Sequence, residues 1–462
     1  MARRSLIFFL LASLLPGCFS YSDSPRLPFV RSITEDDEIR ISREFRRDAK
    51  KNLKLVSHPE VERYVDQVGR RLLAPMGPQP FEYRFFVVED SQLNAFAVPG
   101  GSIYIHTGLL QRLSSTDELA GVLGHEIVHV KARHVARVSG PDPAVLLGLL
   151  AVFLGRGPQA QAGAVLGQAL AVSRQLSYSR QLEQEADALG VRYMAEAGYD
   201  PKAALDFLKV VDQERIFNPV DLPPYLLTHP LTQERITTIE ALVRAVGSRQ
   251  PRASRPDPIQ KVQTLLRLER HEADALIAEY ERLGTDSPGN PVPPHLLGIA
   301  YEYKGRWPEA RERYERARSL NANGPGIDRD LGRLYTKLGD FGQAHEAFER
   351  ALKHDAREPL NYLYLGELFD KEGNLPDAVG AFLRAHNLAP LWYEPPYRLG
   401  VVYGKMNRLG DAYYYLARAN LLSDEEERAI ADFERAIKAL SPASPRGQII
   451  REEIEAIKAR RK

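Results

Sequence analysis

The chain is poor in cysteine and has no surplus of either charge, and each shortage removes a class of protein. Cys18 is the only cysteine in 462 residues, so no intramolecular disulfide can form and the fold rests on packing, with a metal as the remaining staple. Lys and Arg number 62 against 61 Asp and Glu, a net charge of +1. Such a balance lacks the concentrated positive charge that neutralises phosphates, so nucleic acid is not an expected partner. The basic tip Lys458–Lys462 reads as a solvated tail. No apolar run reaches the roughly 20 residues that span a bilayer. Leu6–Leu15 is too short, and Ala144–Leu154 is bracketed by glycine and proline. With 44% hydrophobic and 27% charged residues the composition is that of a soluble globular protein, and the length exceeds a single core of roughly 150 residues.

The N-terminus combines a short basic region, Met1–Arg4, with the apolar run Leu6–Leu15 and then Leu15-Pro16-Gly17-Cys18, which reads as an export signal. Its ending resembles a bacterial lipobox, with Cys18 lipidated as the first mature residue. By that resemblance Phe19, and the absence of Asp after Cys18, would favour sorting to the outer membrane; a plain secretion signal is the other reading. Residues 19–35 are rich in Ser and Pro and read as a tether, and a charged helical stretch follows. Tyr83–Val88, Asn94–Val98 and Ser102–Ile105 have the aromatic and β-branched content of strands, the last two joined by Pro99-Gly100-Gly101. Ser115-Thr116-Asp117-Glu118 predicts a capping box, in which Ser115 and Glu118 each satisfy a backbone N–H at the start of the next helix.

That helix carries His125-Glu126-Ile127-Val128-His129. Residues four apart share a helix face, so both imidazoles can converge on one ion with Glu126 beside it. Two nitrogens then bind zinc, and Glu126 can take a proton from the water that attacks a peptide carbonyl. A catalytic zinc needs a third protein ligand and an open position. Ala132 and Val135 stand where a metzincin has Gly and His, which excludes that class, and His134 reads as a surface or supporting histidine. The better candidate is Glu183 in the helical stretch Leu182–Gly190. Asp187 lies on the same face, and Ala186 and Gly190 allow a close approach to the zinc helix. Glu183 would bind the metal and Asp187 would accept a hydrogen bond from a ligand imidazole, while Glu185 points to the other side. Two solvated acidic residues on an amphipathic helix are the bland alternative.

Asn94-Ala95-Phe96, Gly108-Leu109-Leu110, His125–His129, Glu183–Asp187 and Thr228-His229-Pro230 through Arg235 keep an order that resembles the HtpX and prenyl-protease family of gluzincin peptidases, over roughly residues 36–247. The similarity is greatest to members that join this domain to tetratricopeptide repeats in the bacterial envelope. The resemblance implies one zinc per chain bound by His125, His129 and Glu183, with Glu126 as base. It also places His229 near the metal, either blocking its fourth position or acting in catalysis. The Asn94–Val98 strand is a candidate edge for strand addition by substrate, or simply a core strand. Residues from Val138 to Arg174 form an insertion that reads as a lid, a membrane contact or a buried helical pair.

Residues 248–257 read as a linker, beyond which the sequence repeats. Leu-Gly-x-x-aromatic recurs at Leu297, Leu331, Leu365 and Leu399, each 34 residues after the last, with Ala310, Ala344, Ala378 and Ala412, and Ala317, Ala351, Ala385 and Ala419, in the same phase. This is the tetratricopeptide signature, clear over about 291–424 within a solenoid of 258–440 that ends on a capping helix, followed by a helical tail at 441–462. The aromatic residues Tyr362, Tyr364, Trp392, Tyr393, Tyr397 and Tyr413–Tyr415 are divided between core and candidate binding anchors. The expected fold is therefore α+β and mostly helical: a zincin-type metalloprotease domain at 36–247, then an all-α repeat solenoid. Two functions stay open. One is a periplasmic endopeptidase of misfolded or misassembled outer-membrane proteins, with the repeats reaching unfolded chains or the assembly machinery. The other is a repeat-based chaperone or scaffold whose metal site is silent.

Overall fold

The computed structural model describes residues 33–138, 180–217, 222–247, 257–321, 324, 326–440 and 444–459. Cys18, residues 139–174 of the insertion and 248–256 of the linker lie outside the described residues. Among the described residues no helix is long and apolar enough to cross a membrane.

Helix α1 (Glu35–Asn52) begins on a reciprocal capping box: Thr34 accepts from the Asp37 N–H and the Asp37 carboxylate accepts from the Thr34 N–H. Its Ile41 and Phe45 pack on one face of a three-stranded sheet, where Phe45 meets Phe96 and Tyr104 edge-on. Helix α2 (Pro59–Leu73) covers the other face, and Gly69 is required there because a Cβ would lie 2.1 Å from the Phe85 ring. The strands are β1 (Arg84–Val88), β2 (Ala95–Val98) and β3 (Ser102–His106), in the order β1-β3-β2. β3 runs parallel to β1 and antiparallel to β2. At the turn between β2 and β3, Gly100 has a φ of +84° and a Cβ there would meet the Glu38 carbonyl oxygen at 2.3 Å.

After β3 come α3 (Thr107–Arg112), α4 (Thr116–Lys131) and α5 (His134–Val138), then α6 (Arg180–Ala197), α7 (Lys202–Phe217), α8 (Pro224–Thr228) and α9 (Gln233–Val246). The cap of α4 departs from expectation. Ser115 accepts from the Glu118 N–H, but the Glu118 carboxylate reaches one residue further back, to the Ser114 N–H at 2.7 Å. One half of the capping box is therefore replaced by a longer loop closure.

The solenoid starts with α10 (Pro258–Glu269) and α11 (Ala273–Asp286). Four helix pairs follow: α12 (Val292–Tyr303) with α13 (Trp307–Leu320), α14 (Ile327–Leu338) with α15 (Phe341–His354), α16 (Pro359–Glu372) with α17 (Leu375–Leu388), and α18 (Glu394–Lys405) with α19 (Leu409–Leu422). Within each pair one glycine explains the repeat. A Cβ at Gly298, Gly332, Gly366 or Gly400 would lie 2.5–2.9 Å from the large side chain facing it, Tyr314, Phe348, Phe382 or Leu416. Helices α20 (Glu426–Ala439) and α21 (Pro445–Ala459) close the array, with Ile450, Ile454 and Ile457 of α21 packed on Phe433.

The repeats wrap back onto the N-terminal domain. Asp257 caps α10 through the Ile259 N–H and at the same time accepts from the Thr116 N–H, so one carboxylate serves the starts of both α10 and α4. Glu60 of α2 is buried among Lys261, Arg329 and Arg333. Although burial opposes ionisation, Lys261 and the two arginines hold the Glu60 carboxyl down at about 2. At the far end Arg46 forks onto Asp424 with bonds of 2.9 and 2.7 Å, and the Arg63 guanidinium lies over the Trp392 ring. Of the aromatic residues offered as anchors for a foreign partner, Tyr364 and Trp392 are buried close to Glu60 and Arg63 of the chain's own α2, whereas Tyr397 is 45% exposed.

Candidate metal centre

Helix α4 passes close to α6 because both present glycine at the crossing. A Cβ on Gly190 would lie 3.3 Å from the His125 nitrogen, and one on Gly124 would lie 3.4 Å from the Gly190 carbonyl oxygen. This approach brings His125 and His129 of α4 to Glu183 and Asp187 of α6. His229 enters from the end of the short helix α8, where its N–H bonds the Tyr225 carbonyl and its ring leans on the Tyr225 ring, centroids 4.8 Å apart.

Ligand atoms of His125, His129, Glu183 and His229 lie within 4.8 Å of one another, and all four residues are buried. His125 Nε2 is 2.9 Å from His129 Nε2 and 3.3 Å from His229 Nδ1. Glu183 Oε1 is 3.1 Å from His229 Nδ1 and 3.4 Å from His129 Nε2. Zinc bonds to nitrogen and oxygen of about 2.0–2.2 Å place tetrahedral donors roughly 3.3–3.6 Å apart, so the set has the size and chemistry for that ion.

The outer ring atoms support the same assignment. His125 Nδ1 is 3.0 Å from Asp187 Oδ1, so Nδ1 carries the proton and Nε2 presents a lone pair to the centre. His129 Nδ1 is 2.9 Å from His134 Nδ1, and His134 Nε2 is 3.3 Å from Glu185. A proton on His134 Nε2 leaves its Nδ1 to accept from His129, which again turns a lone pair inward. Two such lone pairs facing each other repel unless a cation lies between them. His134 is therefore fully buried support for His129, not a surface residue, and Glu185 belongs to that outer chain.

Glu126 is 1% exposed, and among the described residues neither carboxylate oxygen has a hydrogen-bond partner and the nearest ionic neighbour is His229 Nε2 at 3.4 Å. Burial raises its pKa, opposed by His229 and His125. A buried carboxylate without donors is costly, and a cation beside it offsets that cost. Burial also acts on Glu183, but its contacts with the His229 and His125 imidazoles outweigh it and hold that carboxyl well below its usual range.

Arg235 of α9 is the residue whose role the motifs did not reveal. Its guanidinium forks onto Asp187 with two bonds of 2.8 Å, reaches Glu183 Oε2 at 2.9 Å and donates to the Pro230 carbonyl. It thus ties the α6 carboxylates to the segment that carries His229. Its place in the Thr228–Arg235 motif was the only available sign. Strand β2 lies against α4 at the sheet edge. Because Asn94 pairs with His106, the alternation directs the N–H and C=O groups of Ala95 and Ala97 away from β3, on a strand whose four residues are all buried.

Residues 59–243 match the sequence profile of Peptidase family M48 and are a domain of that family. Residues 292–357 and 329–390 match tetratricopeptide-repeat profiles. The chain is 32% identical over 247 residues to a putative beta-barrel assembly-enhancing protease of Vibrio cholerae, covering 51% of each chain. It is 35% identical over 190 residues to the beta-barrel assembly-enhancing protease of Escherichia coli, covering 39% of each. A mitochondrial metalloendopeptidase of Schizosaccharomyces pombe is 32% identical over 186 residues, 40% of this chain and 54% of the relative. The chain thus spans about half the length of these relatives, or less. Among solved structures, the type IV pilus biogenesis factor PilW matches 40% of this chain and 94% of its own at 18% identity, with a TM-score of 0.33.

Proposed function

We propose that this chain, a Peptidase family M48 domain joined to tetratricopeptide repeats, is a zinc-dependent endopeptidase of the bacterial cell envelope that degrades misfolded or misassembled outer-membrane proteins. The observation that carries this reading is the buried, hydrogen-bond-free Glu126 carboxylate beside four converging metal donors. His125, His129 and Glu183 would hold the ion. When bound, zinc supplies Lewis acidity that polarises the scissile carbonyl and acidifies water. Glu126 accepts the proton of the attacking water, a task suited to a carboxylate whose basicity burial has raised. Asp187 fixes the His125 tautomer, and Arg235 fixes Asp187 and Glu183 together. An unfolded chain adding along Ala95 and Ala97 gains main-chain hydrogen bonds whatever its sequence, which suits a protease of misfolded substrates.

The repeats engage substrates or the outer-membrane assembly machinery, and a lipid on Cys18 holds the protein at the periplasmic face of the outer membrane. Cys18→Ser would then move the protein from pelleted membranes to the soluble periplasm, and unchanged pelleting would refute the anchor. For the enzyme itself, a chelator should abolish cleavage of an unfolded outer-membrane protein and one equivalent of zinc should restore it; chelator-resistant cleavage would overturn the proposal. A second reading, a scaffold with a silent metal site, draws on one observation: His229 Nδ1 stands within the donor set, 3.1 Å from Glu183 and 3.3 Å from His125, where it can close the position that water needs.

A further inference from the structure

Away from the metal centre, a cavity of about 320 Å³ opens where β1 and the end of α1 face the turns Leu391–Tyr393 and Leu422–Asp424 of the repeats. That volume lies within the roughly 300–1,000 Å³ of ordinary ligand sites. Its lining includes the stacked Phe86 and Tyr104 on the sheet side and Trp392 and Tyr393 on the repeat side, with Phe85 at the strand edge.

Among the described residues, three nine-tenths-buried residues of the lining carry polar atoms with no hydrogen-bond partner in good geometry: the Tyr104 hydroxyl, Arg63 Nε and the Trp392 indole N–H, the last with the Glu62 carboxyl as its neighbour. All three can donate, so together they call for acceptors. The ionisable lining has five basic groups against three acidic ones. Burial and the neighbouring Glu394 push one of those acids, Glu62, up to about 7, while Arg84 and Lys50 also pair with Glu82 and Glu425 just outside the lining.

The sheet supplies main-chain partners as well. β1 is an edge strand, and Arg84 pairs inward through the Gly101 carbonyl, so alternation turns Phe85 and Val87 outward. On that side the Val87 carbonyl is taken by the Val56 N–H and the Tyr83 carbonyl by Arg70. Among the described residues no main-chain partner takes the N–H or C=O of Phe85, which leaves a place for one two-bond strand pairing within the cavity.

We propose that this cavity is a peptide-binding site, separate from the metal centre, for an extended segment that carries an aromatic side chain next to a carboxylate. The aromatic ring enters between the sheet and repeat walls, the carboxylate meets the donor-rich lining, and one residue of the segment pairs with Phe85. Because its walls come from both domains, the site exists only while the repeats are docked, and it would hold an unfolded substrate independently of cleavage.

The test is fluorescence polarisation with a labelled acetyl-Thr-Phe-Glu-Val-Thr-amide peptide and the full-length chain bearing Glu126→Gln to prevent cleavage. Saturable binding with a Kd on the order of 10–100 μM is expected. Ser57→Trp, at an exposed rim position, fills the entrance and should weaken binding at least tenfold with an unchanged melting temperature. Trp392→Phe should weaken it through loss of the indole N–H. Replacing Phe by Ala or Glu by Lys in the peptide, or methylating alternate backbone nitrogens, should each cost a similar factor. Absence of saturable binding up to 1 mM peptide, or equal affinity for the Ser57→Trp protein, would overturn the proposal. The second outcome would place the peptide elsewhere, β2 included, and leave the protease reading untouched.

Discussion

Asp187→Asn isolates what the buried support of the metal ligands contributes. The carboxylate lies 3.0 Å from His125 Nδ1 and receives two 2.8 Å bonds from Arg235. The amide keeps the shape and one acceptor but removes the charge that raises His125 basicity. It also directs an N–H toward either the imidazole or the guanidinium, both of which are donors. Losses from such outer partners are about 10–100-fold in metal affinity, or about 1.4–2.8 kcal/mol. Glu185→Gln is the matched control. Glu185 reaches the centre only through His134, and its side chain is 39% exposed, so solvent screening limits its effect to about fivefold or less. Competition against a fluorescent zinc chelator gives both dissociation constants, and melting of the metal-free proteins reports the separate cost of leaving Arg235 poorly partnered. Equal losses in the two variants, or no loss in Asp187→Asn, would refute the assignment of Asp187 as the partner that orients His125.

Two other perturbations follow from the same geometry. Glu60, held at about 2 against an ordinary 4.5, binds protons less readily when folded, so its stabilisation is present above pH 4.5 and is lost as pH falls toward 2. The wild-type melting temperature should drop through that window by more than that of Glu60→Gln, a difference worth about 3 kcal/mol, and parallel curves would show that Glu60 does not couple the two domains. His229→Ala should raise basal cleavage if His229 closes the fourth position of the metal. A fall of about 10²–10³-fold would instead assign His229 to the oxyanion, and an unchanged rate would reject both roles.

Much of the site is legible in the sequence because its parts are local. His125, Glu126 and His129 occupy one helical turn, and Glu183 and Asp187 occupy another whose small residues indicate a close crossing. Arg235 was not legible as a clamp, since its partner Asp187 is 48 residues away and only the folded chain brings them together. His134 was open to two readings because its burial depends on α5 turning back against α4. In the repeats the 34-residue phase is explicit because each Gly-to-ring contact is built within a pair. What the phase does not encode is what packs against the first helices of the pairs. Glu60 and Arg63 look like ordinary charges of an amphipathic helix until Lys261, Arg329 and Trp392 are found against them. The aromatic enrichment that suggested foreign partners therefore serves, in part, the chain's own domain.

The role proposed for Glu126 is that of the base of a zinc-dependent peptidase and not a ligand. It is tested most directly by Glu126→Gln, with zinc content and cleavage of an unfolded outer-membrane protein measured on the same purified sample. One zinc per chain with cleavage reduced about 10²–10⁴-fold is the predicted result. Undiminished cleavage, or zinc lost together with cleavage, would contradict it.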